Sequence, residues 1–154
     1  MKIISKSTKE TLNLGKRFAG YLQKGDIVCL FGQLGSGKTV LTKGIASGLG
    51  VKKNRITSPS FVLIREYAQA RLPFYHFDLY RLKKPKDILY LGYQEYLYDN
   101  GITVIEWADR LKNYLPDKYL KIQIIIKDKN TRLFILKGFS KHYEEILRAL
   151  KGKI

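Results

Sequence analysis

Apolar residues recur along the chain with two periods. Leu14, Phe18, Tyr21 and Leu22 fall three or four apart, the spacing of a helix with one buried stripe. Ser7 precedes that stripe and Glu10 stands three residues on, as a capping box requires, so a helix is expected from Thr8 to about Gln23. After the Gly25-Asp26 turn, Ile27-Val28-Cys29-Leu30-Phe31 is a continuous run of strand formers. Helical spacing returns at Leu41, Ile45 and Leu49, and Gly48-Leu49-Gly50 stops it. Residues 61–67 read as a strand, and the stretch 73–81 holds an aromatic strand that finishes on Asp78. Pro85 opens a further helix bearing Ile88, Leu89 and Leu91, followed by Tyr93, Tyr96 and Leu97. Ile102 to Trp107 reads as a buried strand closed by Glu106, and Ala108 to Tyr114 as a short helix broken at Pro116. Residues 120–126 and 132–136 form a hairpin about Lys127-Asp128-Lys129-Asn130-Thr131. Ser140 caps a last helix carrying Tyr143, Ile146, Leu147 and Leu150. Strands alternating with helices indicate an α/β fold, and the length suits one domain over 1–154.

One junction in this pattern carries chemistry. Between the first apolar strand and the helix after it stands Gly32-Gln33-Leu34-Gly35-Ser36-Gly37-Lys38-Thr39, two glycines at fixed spacing, then lysine and a hydroxyl. Glycines let the backbone turn where a Cβ would clash, so successive N–H groups can face phosphate oxygens. Lys38 can reach β- and γ-phosphates, and the Thr39 hydroxyl can ligate Mg²⁺. The strand before and the helix after are the setting this motif needs, and the helix N-terminus adds its dipole. The chain is therefore expected to be a P-loop domain that binds a nucleoside triphosphate.

Such a loop is ordinarily partnered by an acid at the end of an apolar strand. Two acids qualify, Asp78 and Glu106. The strand before Glu106 is the more uniformly apolar, as a central parallel strand should be, so Glu106 is assigned with Thr39 to the metal. Asp78 is left as a second acid that positions the attacking water or reads nucleotide state. Alternation puts His76 on the same strand face as Asp78; a lone strand histidine is more often structural. Thr57-Ser58-Pro59-Ser60-Phe61 is a stiff turn whose hydroxyls either bond locally or form a switch-like loop near the γ-phosphate. Trp107 is either core or a cover for the nucleotide edge. The tyrosines of the 90–98 stretch are either packing or a docking surface.

Composition narrows the classes. No apolar run is long enough to span a membrane, and the start of the chain is too short and polar for a signal peptide, so a cytoplasmic protein is expected. A single cysteine, Cys29, leaves no disulfide framework, and no Cys/His cluster suggests a structural metal. Lys and Arg number 29 against 13 Asp and Glu, a net charge of +16. That excess is either a solvated basic surface or the mark of an acidic or nucleic-acid-associated partner.

The stretches GQLGSGKT at 32–39, TSPSF at 57–61, HFDLYRL at 76–82 and IEWADRL at 105–111, in this order, resemble the TsaE (YjeE) family. These are small ATPases of tRNA threonylcarbamoyladenosine synthesis. The resemblance implies a central mixed, mostly parallel sheet flanked by helices, ATP binding with Mg²⁺, and slow hydrolysis. It implies action on a TsaB–TsaD complex that modifies adenosine 37 of tRNA, with tRNA met indirectly or at that complex. Carried over by position, Leu34, Gly35, Ser36, Gly37, Lys38 and Thr39 match the phosphate-cradling loop, and Glu106 the Mg²⁺-site acid. Asp78 matches an acid needed for activity, Thr57 and Ser60 the hydroxyl loop beside the γ-phosphate, and Trp107 a functionally sensitive tryptophan. Thr8 and Arg132 match walls of the adenine pocket. Gln33 stands where the family usually has Asp, and Ser36 where Ala is common.

Three other readings compete. A small-molecule kinase of the P-loop class would need an acceptor pocket and an arginine-bearing lid, and Arg65, Arg71 and Arg81 are scattered. A GTP switch would need an Asn-Lys-x-Asp stretch, which the sequence lacks. A basic tRNA-binding module would owe its affinity to phosphate contacts and lose it steeply with salt.

Overall fold

Alternating strands and helices fold here into one mixed sheet with layers on both faces. The structure is a computed structural model that describes residues 1–52, 56, 63–97 and 100–152. The chain runs β1 (Lys2–Ser5), α1 (Thr8–Ala19), β2 (Ile27–Phe31), α2 (Lys38–Gly48), β3 (Ile64–Tyr67) and β4 (Phe74–Asp78). A 3-10 helix (Pro85–Leu91), α3 (Tyr93–Leu97), β5 (Ile102–Glu106) and a second 3-10 helix (Ala108–Tyr114) follow. β6 (Leu120–Ile126), β7 (Arg132–Gly138) and α4 (Lys141–Lys151) complete it. The strand order is β1-β7-β6-β2-β5-β4-β3.

The central strands β6, β2, β5 and β4 are mutually parallel, and β3, β7 and β1 pair antiparallel at the edges. Every residue of β2, β4 and β5 is buried, because each strand is covered on both faces. Val28 and Leu30 of β2 face a core shared with Leu14, Phe18, Leu41 and Ile45 of α1 and α2. Ile27, Cys29 and Phe31 face the opposite core, with Phe77, Ile88, Leu97 and Leu111. Parallel pairing brings the C-terminal ends of β2, β4 and β5 to one edge, with Asp78 directly opposite Glu106. Ligands of open α/β sheets bind at that edge.

α1 and α2 touch through glycines. A Cβ on Gly44 would collide with the Leu12 carbonyl and stand 2.9 Å from the Gly15 Cα. A Cβ on Gly48 would stand 2.6 Å from the Ala19 Cβ. Small residues at these positions let the two backbones approach and fix where α2 starts.

Several expectations need correction. β1 was not foreseen; it is a short edge strand joined to β7. α1 ends at Ala19 rather than near Gln23; the Gly20 N–H folds back to the Arg17 carbonyl and the Tyr21 N–H to the Phe18 carbonyl. β4 ends on Asp78, as its closing acid suggests, while β3 begins at Ile64 within the longer stretch expected. The segment opened by Pro85 is a 3-10 helix, ended by Gly92 in the left-handed region at φ 60°. Residues 108–114 are also 3-10, with a kink at Lys112 (φ 48°, ψ −114°). Among the tyrosines, Tyr93 is buried and Tyr96 lies edge-on to Tyr75 and Phe77, so packing accounts for both; Tyr90 is exposed. No helix among the described residues is long and apolar enough to cross a membrane.

Stability should fall at alkaline pH. Burial pushes the Cys29 thiol above its ordinary 9.0. It also raises Tyr119 and Tyr143 above the ordinary 10.0, although the Ile27 N–H donated to the Tyr143 hydroxyl at 2.8 Å opposes the shift. The folded chain therefore keeps protons that the unfolded chain releases, and the stability these groups contribute is intact below about pH 8.5 and lost above it. Each fully titrating group adds a slope of about −1.4 kcal/mol per pH unit. Urea unfolding at pH 8 and at pH 10.5 should show a lower midpoint at the higher value; an unchanged midpoint would contradict this.

Candidate active site

The glycine loop is bent as its sequence requires. Gly35 (φ 75°) and Gly37 (φ 104°) both lie in the left-handed region, and a Cβ built on either would stand in open space. At Gly32 a Cβ would meet the Ile124 carbonyl and Ser36 Oγ, each at 2.7 Å. Gly37 is the N-cap of α2 and brings no side-chain cap, and the first turn has no acid. The positive end of α2 is thus left to an anion from outside.

Leu34, Gly35, Ser36, Gly37, Lys38 and Thr39 line one face of a cavity of about 470 Å³, and Asp78, Glu106 and Trp107 line the rest with Tyr80 and Arg81. The Lys38 side chain is folded back on its own loop. Its ammonium donates to the Gly32 carbonyl at 2.6 Å and the Gln33 carbonyl at 3.0 Å, and lies 3.6 Å from the Trp107 ring centroid. Burial lowers its pKa from the usual lysine value, while the charges of Glu106, Asp109 and Asp78 oppose that shift. Trp107 itself adopts a left-handed backbone (φ 59°, ψ 43°), which turns its ring over the lysine and against Tyr80 at 5.1 Å.

The Thr39 hydroxyl donates to Glu106 Oε2 at 2.8 Å, joining the loop to the end of β5. The other oxygen, Oε1, lies 2.7 Å from His76 Nε2, and both side chains are about 1% exposed. Asp78 Oδ1 accepts from the Tyr80 N–H at 3.1 Å. A hydroxyl and a carboxylate this close make a hard-oxygen pair that fits Mg²⁺. Among the described residues no group of three or more His, Cys, Asp and Glu could hold an ion. A cation at this pair would complete its shell from phosphate oxygens and water, as Mg²⁺ does in nucleotide sites.

A smaller cavity of about 160 Å³ adjoins the loop. Thr8 and Arg132 line it with Ser7, Thr11 and Asn130, and it shares Gly35, Gly37 and Val40 with the larger one. Arg132 Nη2 reaches the Gly35 carbonyl at 3.4 Å. Two residues matched only by resemblance therefore meet at the loop, although they are far apart in sequence. Thr57 and Ser60 lie outside the described residues. Arg81 and the His76 contact escaped the sequence reading. Arg81 was set aside as scattered, and the signal that could have found both is their place in the same short stretch as Asp78.

The profile of the family described as Threonylcarbamoyl adenosine biosynthesis protein TsaE matches residues 5–134. A Treponema pallidum (strain Nichols) protein named tRNA threonylcarbamoyladenosine biosynthesis protein TsaE is 38% identical over 136 residues, covering 88% of this chain and 99% of its own. A Bacillus subtilis (strain 168) protein of the same name is 40% identical over 119 residues, covering 77% and 72%. The crystal structure of Bacillus subtilis YdiB matches with a TM-score of 0.86 at 34% identity, over 99% of this chain and 94% of that one.

Proposed function

The chain belongs to the TsaE family of threonylcarbamoyl adenosine biosynthesis proteins, and from that premise we propose that it binds ATP with Mg²⁺ and hydrolyses it slowly. The cycle serves N⁶-threonylcarbamoyladenosine formation on tRNA by acting on a TsaB–TsaD complex. The observation that carries this reading is the 2.8 Å contact between Thr39 and Glu106 at the mouth of the glycine loop. It joins a loop suited to phosphate with an acid suited to its divalent counterion.

Each residue then has a task. The backbone of Leu34 to Thr39 and the amino end of α2 hold the phosphates. Lys38 leaves the Gly32 and Gln33 carbonyls for the β- and γ-phosphate oxygens. Thr39 and Glu106 would hold Mg²⁺, which would supply charge neutralisation on those oxygens. Asp78, opposite Glu106 in register, orients the attacking water. Arg81 adds a second cation to the wall. The adenine base sits in the smaller cavity between Thr8 and Arg132. Catalysis here is positioning and charge neutralisation, with no covalent protein intermediate.

The test is calorimetry of magnesium-ATP binding, joined to phosphate release with and without the TsaB–TsaD complex. Binding with ATP preferred over GTP, and faster phosphate release in the presence of the complex, are expected. No binding heat with or without the complex overturns the reading. Phosphate appearing on a small metabolite without a protein partner favours a kinase, and salt-resistant tRNA binding by the isolated protein favours the basic module.

A further inference from the structure

We propose that His76 is a positioning residue that aims the Glu106 carboxylate at Thr39 and the cation site. The inference rests on the magnesium-ATP reading. His76 and Glu106 come from adjacent parallel strands, β4 and β5, and both are almost wholly buried. His76 Nε2 meets Glu106 Oε1 at 2.7 Å, and Thr39 Oγ1 meets Oε2 at 2.8 Å. Nδ1 of His76 is buried with no hydrogen-bond partner among the described residues.

That inventory assigns the tautomer. A carboxylate oxygen only accepts, so Nε2 carries the proton and donates to Oε1. His76 is then a donor that ties down one oxygen of Glu106. The carboxylate cannot rotate without breaking that bond, so the second oxygen stays directed at Thr39. Groups behind a metal-binding carboxylate commonly act in this way, and their loss lowers metal affinity about 10- to 100-fold. A histidine that merely filled the core would leave cation binding alone.

The test compares ATP affinity by calorimetry in EDTA and in excess Mg²⁺. In wild-type protein Mg²⁺ should tighten binding. In His76→Phe, which keeps the ring volume and loses the donor, the Mg²⁺-dependent gain should fall about tenfold or more while affinity in EDTA is little changed. His76→Gln can place an amide N–H near the Nε2 position and should restore most of the gain. If His76→Phe does not fold, the same contrast is read between His76→Gln and His76→Asn, whose shorter amide cannot reach. An equal Mg²⁺ gain in wild type and donor-less variants overturns the proposal, as does a loss shared equally by the EDTA and Mg²⁺ measurements. No Mg²⁺ gain in the wild type instead overturns the magnesium-ATP reading beneath it.

Discussion

Lys38→Ala should abolish measurable ATP turnover, with a loss on the order of 10²- to 10³-fold, as for removal of one preorganised electrostatic contact to a transition state. The ammonium lies within the loop, held by two carbonyls of that same loop and by the Trp107 ring. None of those contacts ties one strand to another, so the melting temperature should change far less than the rate. Phosphate release at saturating magnesium-ATP, read beside a melting curve, separates the two effects. Lys38→Arg should not rescue. A planar fork needs more room than a compact ammonium and binds phosphate in a different geometry. Full turnover in Lys38→Ala would remove the loop from the chemistry.

Gly44→Ala should destabilise the fold by about 1–3 kcal/mol, the usual cost of forcing an extra carbon into a packed interface. Two effects oppose each other here. Helix propensity alone favours alanine by about 1 kcal/mol, because glycine loses more backbone freedom on folding. Sterics win because the new Cβ meets the Leu12 carbonyl and the Gly15 Cα, which are backbone atoms that no rotamer change can move. Relief requires α1 and α2 to separate, and α2 begins at Lys38. Nucleotide affinity should therefore weaken together with the urea midpoint. A stability gain would show that the helices stand further apart than described.

The parts legible in the sequence were those with local causes. The bends of Gly35 and Gly37 follow from residue type, and the buried run before Glu106 announced a central strand. The Ser7 and Ser140 caps were equally plain, each accepting the N–H three residues on. What was not legible depends on neighbours distant in sequence. The four-residue β1 has no periodicity long enough to read and exists because β7 offers an edge. The glycines of α1 and α2 look like weak helix positions until the two helices are brought together. His76 looked structural because its partner is chosen by the β4–β5 register, which no single strand encodes. The 3-10 form of 85–91 and 108–114 is not separable from α by apolar spacing over so few residues, so only a helix could be read there.

The turn at the end of β5 has a mechanical consequence. Trp107 holds a left-handed backbone and Lys112 a kinked one at positive φ (φ 48°, ψ −114°), without either being glycine, at a cost on the order of 1–3 kcal/mol each. The rim from 107 to 112 thus carries local backbone strain, whereas β2 and β5 beneath it are fully buried, interior members of the sheet. Whatever displaces Lys38 from the Trp107 ring therefore acts on the strained side of the pocket rather than on its buried floor.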